Sequence, residues 1–335
     1  MKNILIIGSG LTGATLAYKH TMLGDKVTVV EKRNHIGGNV YTRDVEGITV
    51  HKYGAHIFHT NDKEVWDFVN QFVHFNNYKH QVKSRYKGQL YSLPINMNTF
   101  KEFFNIEDRN EITQGQIDYI KKCLYHGYSA KQWNRPVEDI DSKIFDRLPI
   151  RDTFNNNYIY DIYKGIQIEG YTYLISSLLQ GSNIRLNFKI NSSFNFTPYD
   201  IVYNTGPIDE FLNYELGALE YRSLKFIHEV HTNTTFQDYA VINEADIKVP
   251  YTRIIEHKHF NNLGQKNTII TIEYPKNFNG QNERYYTIND ERNTILYERY
   301  KKIAKLKYPK MIFCGRLGDY KYYDMDDAIK RALEL

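Results

Sequence analysis

Ile4-Leu5-Ile6-Ile7-Gly8-Ser9-Gly10-Leu11-Thr12-Gly13 is the stretch whose reading decides the fold. Four apolar residues in a row, three of them β-branched, predict a strand buried on both faces. Leu11–Leu23 carries a helical pattern and Lys26–Val30 a second buried strand, so the stretch opens a βαβ unit. The three glycines fall at the strand-to-helix turn. Gly8 permits the tight turn, Gly10 lets backbone approach a pyrophosphate, and Gly13 lets the helix pack on the strand, with the helix N-terminus facing the anion. Glu31 ends the second strand, where a carboxylate can accept from ribose hydroxyls. A glycine motif alone is weak, but strand, motif, helix, strand and acid in this order are specific for a dinucleotide.

Working outward, Gly37-Gly38-Asn39 brings a second glycine pair to the same region, which points to FAD rather than NAD. Asp200–Asn204 before Thr205-Gly206, and Ile312-Phe313-Cys314-Gly315 before a terminal helix starting near Asp324, read as late strands returning to the cofactor. The N-terminus of that terminal helix is expected to face the flavin N1/O2 edge. Between these segments the texture changes. Asp62–Val73 reads as a helix; His80–Tyr86 and Gln89–Leu93 form a hairpin about Lys87-Gly88, closed by Pro94. Helical signals, including Thr99–Phe104 and Gln116–Tyr125, dominate from Asn98 to about Asp146. Strand patterns return after Pro149, at Ile184–Phe188, Leu224–Val230, Ala240–Ile242 and Thr268–Tyr274. The expected fold class is α/β: a discontinuous Rossmann-like FAD-binding domain (1–76, 185–215 and 305–335), a small helical subdomain (98–148), and an antiparallel β-sheet domain (77–97, 149–184 and 216–304).

Composition narrows the function. With 335 residues, 24% charged and a formal net charge of +4, the chain is neither disordered nor a coat for polyanions, so no nucleic-acid partner is expected. The apolar run Ile4–Ile7 stops at Gly8, too short for a signal peptide or a membrane span. Two cysteines, Cys123 and Cys314, exclude a disulfide framework and a cysteine-rich zinc site and fit a reducing cytoplasm. The 29 tyrosines exceed what a core needs and suit a polar ligand. In Glu256-His257-Lys258-His259 the two histidines would share a strand face, but no third ligand is evident and Lys258 opposes a cation, so no metal is expected. No GxSxG, HExxH, CxxC or Walker lysine is present.

Four further stretches carry a resemblance: Gly54-Ala55-His56-Ile57-Phe58-His59-Thr60, Gly127-Tyr128-Ser129-Ala130-Lys131-Gln132-Trp133, Pro250–Phe260, and Gly315-Arg316-Leu317-Gly318-Asp319-Tyr320 through Asp326. In this order they resemble bacterial UDP-galactopyranose mutases along nearly the whole chain. The resemblance implies an isomerase interconverting UDP-galactopyranose and UDP-galactofuranose through a covalent adduct with N5 of reduced FAD, without net redox, for cell-surface polysaccharide synthesis. It implies that Arg147 and Arg253 hold the diphosphate, with Tyr158, Tyr286 and Tyr322 helping, and that Tyr128 and Trp133 stack on uridine. It puts His59 and Arg316 near flavin and sugar, Asp324 with the substrate, and His56 in the loop lining the isoalloxazine. Lys32, Asn39, Thr12, Gly38, Gly206, Gly315 and Met325 join Gly8, Gly10, Gly13 and Glu31 at the cofactor. Arg222 reads either as a further phosphate cation or as a structural ion pair with Glu220 or another acid.

The chain also departs from the family. Its helical subdomain, where the family makes its homodimer contacts, is shortened; Asn134 stands where glycine is usual, and Thr287 where proline is common. Gly127–Arg147 is the expected mobile element over the substrate. Two rival readings share the FAD domain: an oxidoreductase of the amine-oxidase type, and an inactive FAD-binding homologue.

Overall fold

The structure, a computed structural model, describes residues 1–140, 149–261 and 264–335; Arg147 lies outside them. Asn3–Ile7 is the centre of a five-stranded parallel sheet. Its neighbours are Lys26–Val30 on one side and Ile201–Asn204 on the other, with Asn183–Arg185 and Met311–Phe313 at the edges. Both faces are covered, as an all-parallel sheet requires. Helices Leu11–Met22 and Met325–Glu334 pack together on one face, burying Leu16, Ala17, Ile329 and Ala332 with Ile4 and Ile6. On the other, Glu291–Lys307 buries Leu296, Tyr297 and Tyr300 against Leu5, Val30 and Val202.

The second layer is a seven-stranded sheet. In spatial order it runs Tyr286–Thr287, Tyr221–His231, Thr268–Asn277, Arg253–Glu256, Val241–Glu244, Val82–Tyr86 and Gln89–Leu93. The expected antiparallel sheet is therefore mixed, because Val82–Tyr86 runs parallel to Val241–Glu244, its partner far along the chain. Two stretches assigned from sequence to this layer pack on the parallel sheet instead. Tyr163–Gly165 pairs with Phe58–Thr60, and helix Tyr171–Leu178 sends Tyr171, Leu174, Ile175 and Leu178 into the core around Ile4. That spacing is one apolar helical face. Helix Glu291–Lys307 is the other. Ile184–Phe188 is strand only as far as Arg185.

Over the second sheet lies the helical region. Asn96 and Thr113 open its helices Met97–Phe104 and Gln114–Lys121 with capping boxes. The second helix continues through a π turn, Lys122–His126, into Gly127–Trp133. A π turn adds one residue to the helical repeat and so rotates the next helical segment about the axis. Ile117, Ile120 and Leu124 face the core, while Tyr128 and Trp133 line a cavity.

The strand pattern read at Glu256-His257-Lys258-His259 ends at Glu256; His259 sits on a short helix, Lys258–Asn261. Glu256 is buried and accepts from the backbone amides of Phe236 (3.0 Å) and Gln237 (2.7 Å) and from Thr268 Oγ1 (2.7 Å), with His259 Nε2 at 3.3 Å. Burial alone would raise its carboxyl; the bonds from His259, Thr268 and the two amides outweigh burial and bring it down to about 2. A depressed carboxyl contributes stability above its unfolded value, near 4.5, and loses it as pH falls toward about 2. Denaturation midpoints across that window are expected to drop in the wild type and to drop less in Glu256→Gln. Parallel acid limbs in the two proteins would refute this.

Candidate active site

The cavity between the two sheets has a volume of about 1590 Å³. A pocket for one drug-sized ligand spans about 300–1,000 Å³, so this one has room for two ligands in contact. Its inner end is the glycine turn. Gly8 has φ +102°, and a Cβ there would meet Thr205 Oγ1 at 2.1 Å. A Cβ on Gly38 would meet Gly10 Cα at 3.0 Å, so the two glycine segments touch backbone to backbone. Helix Leu11–Met22 starts after Gly10 with no side-chain cap and no acid in its first turn, leaving its amides open to an anion. Glu31 accepts from the amide (3.0 Å) and hydroxyl (2.8 Å) of Ser9 and from the amide of Arg33 (2.9 Å), fixed beside the turn. Asn39 accepts from Arg33, and Lys32 and Arg33 both pair with Glu283.

Gly206, Gly315, Arg316 and Met325 come to the same cavity from the late segments. A Cβ on Gly315 would meet Thr12 Oγ1 at 2.9 Å, another close approach around the turn. The terminal helix does not offer its N-terminus as expected. Asp324 closes it with a capping box, and Asp326 and Asp327 stand in the first turn, so the local field is negative. Arg316 is the cation at this place. Its guanidinium lies 4.7 Å from the Tyr322 ring centroid and 5.7 Å from that of Tyr286, and its buried Nε has no partner among the described residues. A flavin between this orphaned donor and the glycine segments fits the residues present.

The outer end of the cavity is lined by aromatic residues and arginine. Tyr128 and Trp133 on the helix, Tyr158, the stacked pair Tyr286–Tyr322 (18° between rings) and Arg253 share it. Glu273 takes the Nε (2.9 Å) and Nη2 (2.7 Å) edge of Arg253 and leaves Nη1 outside the pair. Burial opposes the guanidinium charge, but Glu273 more than restores it, so Arg253 is firmly a cation. His56 is pulled down to about 4 and His80 to about 3, chiefly by burial and then by nearby charges including Arg253. Both are neutral imidazoles. His59 Nδ1 bonds Asp161 at 2.5 Å. Burial raises the Asp324 carboxyl, against the pull of His59 and Arg316.

Arg222 answers to neither half of its sequence reading alone. It lines the cavity, yet its Nε donates to Gln132 O (2.8 Å), Nη2 to Lys131 O (3.4 Å) and Nη1 to Asn277, so it closes the C-terminus of helix Gly127–Trp133. The ion pair with Glu220 is not formed; Glu220 stands by Arg135 and Arg292. Asn134 follows that helix at φ +50°, ψ +45°, a conformation asparagine tolerates better than most residues, so the absent glycine does not re-aim the helix. Thr287 supplies an amide that proline lacks, in a two-residue strand that pairs Tyr286 with Arg222.

Sequence reasoning missed Glu273, Asp161, His80 and Lys131. Glu273 had a signal: an acid that directly continues the apolar strand run Thr268-Ile269-Ile270-Thr271-Ile272 calls for a buried cation. Asp161 had none.

A family model described as UDP-galactopyranose mutase matches residues 123–322. The chain belongs to the UDP-galactopyranose mutase family. A second model, an NAD(P)-binding Rossmann-like domain, matches residues 6–72, which begin within the βαβ opening and run on through helix Lys63–Asn70. The chain is 34% identical to the dTDP-fucopyranose mutase of Escherichia coli, over 100% of this chain and 97% of that one. It is also 34% identical to a probable UDP-galactopyranose mutase of Klebsiella pneumoniae, over 99% and 93%. A crystal structure of reduced UDP-galactopyranose mutase superposes with a TM-score of 0.74 at 14% identity, covering 100% of this chain and 93% of that one. The Rossmann-like domain and the UDP-galactopyranose mutase family together imply a flavin cofactor. No helix among the described residues is long and apolar enough to cross a membrane.

Proposed function

We propose that the protein interconverts UDP-galactopyranose and UDP-galactofuranose on a reduced FAD, with no net redox change. One observation carries this reading: a single cavity joins a glycine turn for a dinucleotide to a second end bearing Arg253, Arg316, Tyr128, Tyr158, Tyr286, Tyr322 and Trp133. A cationic amine substrate would avoid such arginines, which speaks against the amine-oxidase rival. The glycine segments would hold the FAD pyrophosphate, Glu31 its ribose, and Arg316 the flavin edge. When bound, reduced flavin would supply a nucleophilic nitrogen. Arg253 and, from the resemblance, Arg147 bind and retain the detached diphosphate, which fixed guanidinium forks do at defined geometry. Tyr128 and Trp133 present aromatic faces to the base. Asp161 holds the ring of His59, a lining residue of the cavity, through Nδ1. We place the enzyme in the cytoplasm, where the buried Cys123 and Cys314 would stay thiols.

The test is anaerobic chromatography of UDP-galactofuranose with flavin-loaded protein, with and without dithionite. Conversion to UDP-galactopyranose only after reduction is the expected outcome. Steady substrate-dependent oxygen consumption would instead support the oxidoreductase. The equal identity to a dTDP-fucopyranose mutase favours a second reading, the same ring isomerisation on a dTDP-sugar. A parallel incubation with dTDP-fucopyranose separates the two.

A further inference from the structure

Helix Gly127–Trp133 has two working faces. Tyr128, Gln132 and Trp133 line the cavity, whereas Gly127 and Lys131, one turn apart, face the turn between strands Val241–Glu244 and Arg253–Glu256. At Gly127 the contact is close: a Cβ would stand 2.2 Å from Ala245 O and 3.1 Å from Ile247 N. Lys131 reaches into the same turn, and its Nζ donates to the carbonyls of Glu244 (2.7 Å), Asp246 (2.8 Å) and Tyr251 (2.9 Å). An ammonium has three donors, and here each has its carbonyl. The side chain is 9% exposed, and burial brings the ammonium down to about 8, with Glu244 and Asp246 opposing the fall, so it is charged at neutral pH.

The three carbonyls are not scattered. They bracket the turn, and the last belongs to Tyr251, two residues before Arg253. Lys131 therefore connects the helix that carries the aromatic wall to the strand that carries the diphosphate arginine. At the C-terminal end of the same helix Arg222 holds the carbonyls of Lys131 and Gln132. Helix Gly127–Trp133 is thus tied to the second sheet through the Lys131 side chain and through Arg222.

We infer that Lys131 is a positioning residue that fixes the span between the base-stacking helix and Arg253, so that one nucleoside diphosphate is gripped at both ends at once. This rests on the nucleotide reading of the cavity. Two half-sites in register bind a spanning ligand with the benefit of each; out of register, either half still binds its own fragment. Uridine engages only the helix, whereas UDP spans helix and arginine.

Calorimetric titration of flavin-loaded protein with UDP and with uridine tests this. Lys131→Met removes the three donors and leaves three buried carbonyls to find other partners, a loss worth about 10- to 100-fold in an equilibrium constant. The expected result is that UDP binding weakens by about that factor while uridine binding changes less than about threefold. Flavin content should be unchanged. Equal losses for UDP and uridine would mean that the helix has simply lost its order, and overturn the inference; no loss for UDP would overturn it as well. If Lys131→Met does not fold, Lys131→Arg keeps the charge but replaces three divergent donors by a planar fork. The same selective loss of UDP, smaller in size, is then expected, and its absence overturns the inference. A wild type that binds neither ligand overturns the nucleotide reading itself, which is a different result from a wild type that binds UDP as well as the variant does.

Discussion

Arg253→Ala is expected to lower kcat/KM by about 10²–10³ while the protein keeps its flavin. The factor is that of losing one fixed donor from charge stabilisation in a closed site. The flavin is retained because Arg253 stands at the aromatic end of the cavity, away from the glycine segments. The same substitution has a structural cost. The Glu273 side chain is 1% exposed and has Arg253 as its counter-charge, and breaking a buried pair by removing one partner costs about 3–5 kcal/mol. The two effects separate in Arg253→Met combined with Glu273→Gln. That pair leaves no buried charge, so thermal stability should recover most of the loss while turnover stays low. Near-normal turnover in Arg253→Ala would remove the arginine from the substrate site, whatever its effect on stability.

Gly13→Ala is the second large effect, and it acts on the cofactor. The added Cβ would lie 2.0 Å from Gly8 O and 3.3 Å from Ile6 Cγ2. Gly8 O is main chain, so relief requires the turn to open, and the turn is the proposed cradle of the pyrophosphate. Overpacking of this kind costs about 1–3 kcal/mol, and the purified variant is expected to lack most of the visible flavin absorbance. Gly115→Ala is the control: a Cβ there meets nothing within 4 Å on helix Gln114–Lys121. It should keep the flavin and gain about 1 kcal/mol from helix propensity. Full flavin content in Gly13→Ala would sink the assignment of this turn.

What could be read from the sequence was local. The βαβ opening came through because its strand, turn and helix signals lie next to one another, and the start of helix Met325–Glu334 was legible in Asp324. Layer membership was harder. Tyr171–Leu178 follows a stretch that touches the second sheet, where Asn157 bridges Gln81, and precedes strand Asn183–Arg185 of the parallel sheet, so chain proximity decides nothing and the apolar face of the helix settles it for the parallel sheet. The field at the start of the terminal helix was misjudged because the first-turn Asp326 and Asp327 were not weighed against the helix dipole. Arg222 and Lys131 show a deeper limit. Lys131 spends all three donors, and Arg222 two of its contacts, on backbone carbonyls, and a carbonyl has no letter in the sequence. Arg253–Glu273, by contrast, is a pairing of two visible charges on adjacent strands and could have been found.

The order of strands across the parallel sheet bears on biosynthesis. Its central strand, Asn3–Ile7, is made well before its neighbour Ile201–Asn204 and the edge strand Met311–Phe313. Gly315, Arg316 and Met325, which complete the cavity wall, are later still. The glycine turn therefore emerges from the ribosome long before the rest of its own pocket exists. Until Met325 has emerged, the nascent chain presents an unpaired strand edge and half a cavity, the state in which such sheets are prone to aggregate. Flavin capture is therefore expected only after Met325 has emerged, because the cavity wall is incomplete before then.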